Sequence, residues 1–145
     1  MSVKPIDFLN SATSLASSGN DEMTQRNVIS RAYYAAYHRA CELIEPENSD
    51  ENIGVHARYI KQLMMGNNGS IERKIGGKIK SMYSRRKIAD YFIRDELKSD
   101  ASALQLNAAK DLFSVIAGEE LKPPPQSTPN NGTTQQSKPT LRIVK

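Results

Sequence analysis

One nine-residue segment, Ser30 to His38 (SRAYYAAYH), concentrates the side chains best suited to chemistry on a phosphate. Arg31, Tyr34 and His38 stand at i, i+3 and i+7, so in a helix they share one stripe. An arginine and a phenol there can bind and polarise a phosphate, and a histidine can move a proton during phosphodiester cleavage. Alternatively, the tyrosines pack at an edge of the fold while Arg31 and His38 make structural hydrogen bonds. The spacing leaves both interpretations open.

A second segment is strongly basic. Seven basic residues fall between Ile71 and Lys87, namely Arg73, Lys74, Lys78, Lys80, Arg85, Arg86 and Lys87. Lys74, Lys78 and Arg85 recur at i, i+4 and i+11, which predicts a basic ridge on one helical face. Such a ridge suits a phosphate backbone, and Tyr83 and Tyr91 could stack on unpaired bases. A solvated helix face explains the same pattern. We take Lys74, Lys78, Arg86 and Tyr34 as candidate RNA-binding residues.

Other catalytic and metal-binding signatures are absent from the sequence. It contains no glycine-rich phosphate loop, no pair of cysteines for zinc, no HExxH and no GxSxG. With two histidines in the chain, a histidine-based metal site is not expected, and we expect no cofactor. Cys41 follows His38 by three residues, so a thiol–imidazole pair is geometrically conceivable, but a lone cysteine in a helix is usually a small buried hydrophobe.

The pattern of apolar residues predicts an all-α fold, an antiparallel bundle of five helices. The helices are expected over residues 5–17, 21–44, 55–65, from a Ser70 cap onward, and from Ser99 or Asp100 to Gly118. Adjacent Gly76 and Gly77 in the fourth helix predict a kink or a close approach by another helix. The buried face of the fifth helix is predicted to contain Leu104, Ala108, Leu112, Val115 and Ile116.

Composition changes sharply after Gly118, which divides the chain into a helical domain (1–118) and a tail (119–145). Five of the seven prolines lie in the tail, with many Gln, Asn, Ser and Thr. Such a segment buries too little apolar surface to offset the entropy of ordering it, so disorder is predicted. Its end, Thr140 to Val144 (TLRIV), is β-prone; it is either a terminus without a role or a strand that adds to a partner's sheet.

The bulk properties narrow the class of protein. The net charge of +4 and a pI near 9.2 modestly favour contact with polyanions. No apolar run is long enough to cross a membrane, and the N-terminus lacks the features of a secretory signal. The single cysteine cannot form an internal disulfide, which fits a reducing compartment. A cytoplasmic protein without membrane contact is expected.

The segment SRAYYAAYH in the second helix and RRKIADYF at residues 85–92 together resemble the HEPN superfamily, especially its small stand-alone bacterial and archaeal members. The resemblance covers residues 5–117. It implies a helical bundle that forms a homodimer. Members cut RNA without a metal, or bind RNA or nucleotides without cutting, in toxin–antitoxin, anti-phage and CRISPR-linked systems. Some members partner a small nucleotidyltransferase.

In HEPN ribonucleases an arginine, four to six residues and a histidine form the catalytic pair. The resemblance places that arginine at Arg85 and the histidine position at Asp90, followed by Tyr91. Aspartate lacks the near-neutral pKa that makes histidine an effective proton shuttle. We therefore hypothesise that His38 on the second helix faces Arg85 and Asp90 and restores an acid–base cluster. The candidate catalytic residues are then Arg31, His38, Arg85, Asp90 and Tyr91.

Three functions remain open from the sequence. The first is a HEPN-like module that binds RNA or a nucleotide, which accounts for the basic fourth helix and for Asp90. The second is a metal-independent ribonuclease, which needs His38 or an unusual role for Asp90. The third is an adaptor subunit that captures a protein partner through its tail. We rank them in that order.

Overall fold

The computed structural model describes residues 2–48 and 52–123, and all regular elements in these ranges are helices. The five helices are α1 (Pro5–Ser18), α2 (Glu22–Leu43), α3 (Val55–Met64), α4 (Ile71–Tyr91) and α5 (Ala101–Glu120). The predicted all-α bundle is confirmed. None of these helices is long and apolar enough to cross a membrane. Predictions for residues 124–145, including Thr140 to Val144, lie outside the described residues.

The helices begin where local signals in the sequence predict. Pro5 occupies the first turn of α1, where its missing N–H costs nothing. The Asp21 carboxylate caps α2 by accepting from the Thr24 backbone N–H at 2.9 Å. The Ser70 hydroxyl caps α4 by accepting from the Arg73 N–H at 3.2 Å. These side chains satisfy amide groups that have no partner within the helix, so each start is fixed by short-range sequence.

Helix α2 is the central element and packs against α1, α4 and α5, whereas α3 packs against α4. Its buried positions include the small side chains of Ala32, Ala35, Ala36 and Ala40. Alanines let neighbouring helices approach closely, and Tyr33 and Tyr37 are buried between them. The aromatic half of SRAYYAAYH is therefore part of the core, where it faces α3 and α4.

The paired glycines of α4 allow a close approach rather than a kink, because the helix continues through both. A Cβ at Gly76 would lie 2.9 Å from Leu63 Cβ and 3.0 Å from Met64 Sδ, both on α3. At Gly77 a Cβ would meet nothing within 4 Å. Gly76 thus lets the end of α3 approach α4 closely.

A buried arginine fixes the end of α4. The Arg26 side chain donates to the backbone carbonyls of Ala89 at 2.9 Å and Asp95 at 2.6 Å, and it pairs with Glu22 at 2.7 Å. The cation lies at the negative end of the α4 dipole, where it is stabilising. Because these bonds hold the last turn of α4, they position the two residues that follow Ala89, namely Asp90 and Tyr91.

Helix α5 differs from the sequence prediction in its rotation and its end. Leu104, predicted to be buried, is 47% exposed, and the fully buried residue beside it is Gln105. The Gln105 amide donates to the carbonyl oxygens of Met82 at 3.0 Å and Ile29 at 3.3 Å, so its burial is compensated by hydrogen bonds. The helix also continues past Gly118 to Glu120, whose carboxylate pairs with Arg39 on α2 at 2.5 Å.

Candidate functional site

Arg86 lies at the centre of a polar cluster between α2 and α4. Its Nε donates to Asp90 Oδ2 at 2.8 Å, and its Nη2 donates to the hydroxyls of Tyr34 at 2.6 Å and Tyr91 at 3.4 Å. The Ser30 hydroxyl donates to the same Asp90 oxygen at 3.1 Å. We call these five residues the Arg86 cluster. It joins the two sequence motifs that carry the HEPN resemblance.

The Arg86 side chain is 10% exposed, yet its charge is well compensated. Its guanidinium carbon lies 5.1 Å from the centroid of the Tyr34 ring and 5.3 Å from that of Tyr91, within cation–π range. Burial acts to lower the pKa of Arg86, but Tyr34, Asp90 and Tyr91 outweigh it and raise that pKa. Its third nitrogen, Nη1, makes no hydrogen bond to any described residue. Arg86 is thus a fixed cation.

Beside this cation, six rings pack against one another and form an aromatic–histidine cluster. They belong to Tyr33, Tyr34, Tyr37 and His38 on α2, His56 on α3 and Tyr83 on α4. His56 Nδ1 lies 2.8 Å from the Tyr33 hydroxyl, and its ring stacks on Tyr83 with centroids 5.6 Å apart. His38 stacks between Phe8 of α1 and Tyr34. Both histidines contact the rings of Tyr34 and Tyr37.

Burial lowers the pKa of both histidines. The positive charge of Arg86, and that of His38 when it is protonated, lower the pKa of His56 further, whereas Glu42 partly opposes the shift at His38. Burial also raises the pKa of Tyr37 to about 12, so its phenol stays protonated. At neutral pH the cluster therefore contains two uncharged imidazoles that can each accept a proton.

The structure separates several residues that the sequence analysis grouped. Arg85 does not face His38; its Nη1 donates to Gln105 Oε1 of α5 at 3.0 Å. Asp90 pairs with Arg86, and no hydrogen bond or ring contact among the described residues joins it to His38. The hypothesis that His38 faces both Arg85 and Asp90 is wrong, because these two residues, five positions and about 140° apart on α4, turn to α5 and to α2 respectively.

Arg31 shares the predicted stripe but turns to α1 rather than to the Arg86 cluster. Its Nη1 donates to the Ser11 hydroxyl at 2.6 Å, and the residue is exposed. Tyr34 and His38 of the same stripe lie in the aromatic–histidine cluster, with ring centroids 6.1 Å apart. The stripe therefore combines both interpretations: Arg31 makes a structural hydrogen bond, whereas Tyr34 accepts a hydrogen bond from the buried Arg86 and His38 stacks on Tyr34.

Lys74, Lys78 and Arg85 lie along one groove between α4 and α5, as their spacing predicts. The groove has a volume of about 520 Å³, and Arg73 and Ser81 also line it. Its one carboxylate, Asp111, pairs with Lys78 at 2.6 Å. We call it the basic groove. It opens on a different side of α4 from the Arg86 cluster.

Cys41 does not pair with His38. Burial raises the pKa of its thiol to about 11, and Tyr37 and Tyr59 hydrogen-bond to it. It remains a thiol at neutral pH and packs against the core, as expected for a small hydrophobe. Within the described ranges, no group of three or more His, Cys, Asp and Glu side chains is arranged to hold a metal ion.

His56 is the functional candidate that sequence reasoning missed. It lies alone at the start of α3, without a partner at helical spacing, so no local signal indicates a site. Only the packing of α3 against α4 brings this histidine onto the ring of Tyr83. No protein-family model, curated protein or solved structure matches this chain, so the arrangement itself is the basis for any function.

Proposed function

We propose that this chain is a HEPN-like module that binds single-stranded RNA along α4. The observation that supports this proposal most directly is the basic groove, where four cationic side chains accompany one carboxylate along a single helix. A row of cations at helical spacing can neutralise successive phosphates, and the counterions that it releases favour binding.

The groove cations remain available to a phosphate. The Lys78–Asp111 pair is partly exposed, at 31% and 55% for the two side chains, and exposed ion pairs contribute little. Arg85 uses Nη1 for Gln105, which leaves its other donors to the groove. Lys74 is exposed and makes no ion pair with a described residue. Phosphate can therefore replace water without displacing a strong internal contact.

The solvent side of α4 adds a second basic edge. Lys80, Ser84, Lys87 and Tyr91 are exposed and recur at i, i+4, i+7 and i+11. The Lys87 ammonium lies 4.7 Å from the centroid of the Tyr83 ring, and Tyr91 is 63% exposed. Exposed aromatic rings beside cations are the usual means by which proteins hold unpaired bases. This edge favours RNA over an acidic protein surface.

Fluorescence anisotropy with single-stranded RNAs of increasing length tests the proposal. Affinity should rise with length and fall with salt at a slope of about −0.7 per neutralised phosphate. Lys74→Gln, Lys78→Gln and Arg85→Gln should each weaken binding and flatten that slope, whereas the exposed control Lys110→Gln on α5 should not. If the groove variants bind like the control, the basic groove is not the RNA site.

A ribonuclease is the second candidate, favoured by the two uncharged histidines around Tyr34 and Tyr37. One imidazole would accept the proton of an attacking ribose 2′-hydroxyl while the other, protonated, gives a proton to the leaving 5′-oxygen. Arg86 Nη1 would stabilise the charge that develops on the phosphate between them. This assigns the proton transfers to His38 and His56, and it leaves Asp90 as the residue that holds Arg86.

Incubation of a cellular RNA pool with the protein in EDTA separates the two candidates. A ribonuclease should cut, His38→Gln and His56→Gln should each abolish cutting, and both variants should keep groove binding. Lys74→Gln should weaken binding while cleavage at saturating protein persists. Binding without cleavage in the wild type would exclude the ribonuclease and leave the binding module.

A further inference from the structure

A second pocket lies at the opposite end of α5 from Glu120 and shares only Arg85 with the basic groove. It is formed by the end of α4, the segment between α4 and α5, and the first turn of α5, and it has a volume of about 350 Å³. Ile88, Leu97 and Leu104 give it an apolar lining, and Ile88 and Leu104 remain 37% and 47% exposed. No described side chain covers these two residues. We call it the α4–α5 pocket.

The rim of this pocket is acidic in an otherwise basic protein. Asp95, Glu96 and Asp100 line it, against Arg85 and Lys98. Arg85 is partly engaged by Gln105, and the whole chain has a net charge of +4. A pocket with an apolar floor and a surplus of carboxylates at its rim is complementary to a short segment that combines aliphatic and cationic side chains.

The chain itself contains one such segment. Residues 138–145 have the sequence KPTLRIVK, in which Leu141 and Ile143 flank Arg142. It contains three cationic side chains and no Asp or Glu. In an extended segment Leu141 and Ile143 would point to the same side, because side chains alternate. The segment thus matches the pocket in both apolar and charged character.

The connecting chain is long enough. Helix α5 has 20 residues and is therefore about 30 Å long, the distance that the chain must cover to return to its start. The residues from Pro123 to Thr140 can span at most about 56 Å when extended. Joined in this way, the segment meets the pocket at an effective concentration of about a millimolar, so even a weak contact is populated.

We propose that residues 138–145 dock in the α4–α5 pocket of the same chain, with Leu141 and Ile143 on its apolar floor and the cations against Asp95 and Glu96. A second copy is a poorer occupant, since a two-fold contact at this pocket brings its carboxylates together. The proposal does not depend on RNA binding. It explains why an aliphatic pair follows a long polar stretch and why aliphatic residues at the α4–α5 junction are exposed.

Methyl and amide NMR spectra of the full chain test the docking. Leu141→Asp with Ile143→Asp should release the segment and shift the resonances of Ile88, Leu97 and Leu104. The matched control is Thr133→Asp with Thr134→Asp, which adds the same charge to the same tail outside the docking segment. It should leave those resonances in place. The changed residues follow the last helix, so the bundle keeps its fold in both variants.

A charge exchange adds a second measurement. Glu96→Lys should shift the same resonances toward the released positions, and Arg142→Glu in that background should partly restore them. All shifts should be independent of protein concentration. Equal spectra for the Leu141/Ile143 variant and its control would overturn the proposal. Shifts that grow with protein concentration would also overturn it and assign the pocket to a second copy of the chain.

Discussion

The Arg86 guanidinium on α4 donates a 2.6 Å hydrogen bond to the Tyr34 hydroxyl on α2. The two residues are 52 positions apart in the chain, and each belongs to one of the motifs that prompted the HEPN comparison. Their contact shows that the motifs form one structural unit. Four predictions about this cluster and the helices that hold it can be tested.

The first prediction concerns the carboxylate that holds Arg86. Asp90→Asn should lower the free energy of unfolding by about 1.5–3 kcal/mol, because a largely buried guanidinium would lose a charged hydrogen-bond partner. Urea unfolding measures the change. The control Glu47→Gln removes an exposed carboxylate from the segment after α2 and should have almost no effect. Equal losses in the two variants would mean that the Arg86–Asp90 pair adds nothing to stability.

The second prediction uses the paired glycines. Gly76→Ala should destabilise the protein by about 1–3 kcal/mol, because the added Cβ would overlap Leu63 and Met64. Gly77→Ala should stabilise it by up to about 1 kcal/mol, since the position is open and alanine favours a helix. Thermal unfolding of the two variants gives the comparison. The same sign for both would contradict the close approach of α3 to α4.

The third prediction concerns the buried cap at the end of α4. Arg26→Met should cost about 1–3 kcal/mol, because the buried carbonyl oxygen of Ala89 and the partly buried one of Asp95 lose their donor. Hydrogen exchange should also quicken at the backbone amides that end α4, including Phe92. Arg94→Met, an exposed arginine in the segment after the helix, is the matched control. Unchanged exchange at Phe92 would show that Arg26 does not hold the helix end.

The fourth prediction is a pH dependence of stability. Burial lowers the pKa of His38 and His56 below the ordinary value of 6.5, so the unfolded chain binds more protons as the pH falls through that value. The free energy of unfolding should therefore decrease as the pH is lowered from about 7 to about 5. Urea unfolding across this range measures it. The double variant His38→Gln, His56→Gln should lose most of the slope, and an unchanged slope would place its origin in other groups.

Much of the fold could be predicted from the sequence, because the deciding signals are local. These signals are the apolar periodicity, the caps Asp21 and Ser70, and Pro5 in a first turn. Each acts within a few residues, and the helices begin where these signals predict. The ridge of Lys74, Lys78 and Arg85 follows from spacing on one helix and is found along one groove. The rotation of α5 could not be predicted this way. It buries Gln105, whose amide donates to carbonyl oxygens on α2 and α4 that lie far away in the sequence.

The sequence by itself determined the helices and which side chains share a helical face, since these depend on neighbours along the chain. Only the tertiary structure decided which of two arginines, Arg85 or Arg86, forms the polar cluster with Tyr34. They differ by one position, and because α2 and α5 pack on different faces of α4, Arg86 reaches Tyr34 whereas Arg85 reaches Gln105. It also decided that His56 joins the aromatic–histidine cluster. Contacts between distant segments depend on how helices rotate and approach, and at Gly76 that approach is set by the absence of a single Cβ.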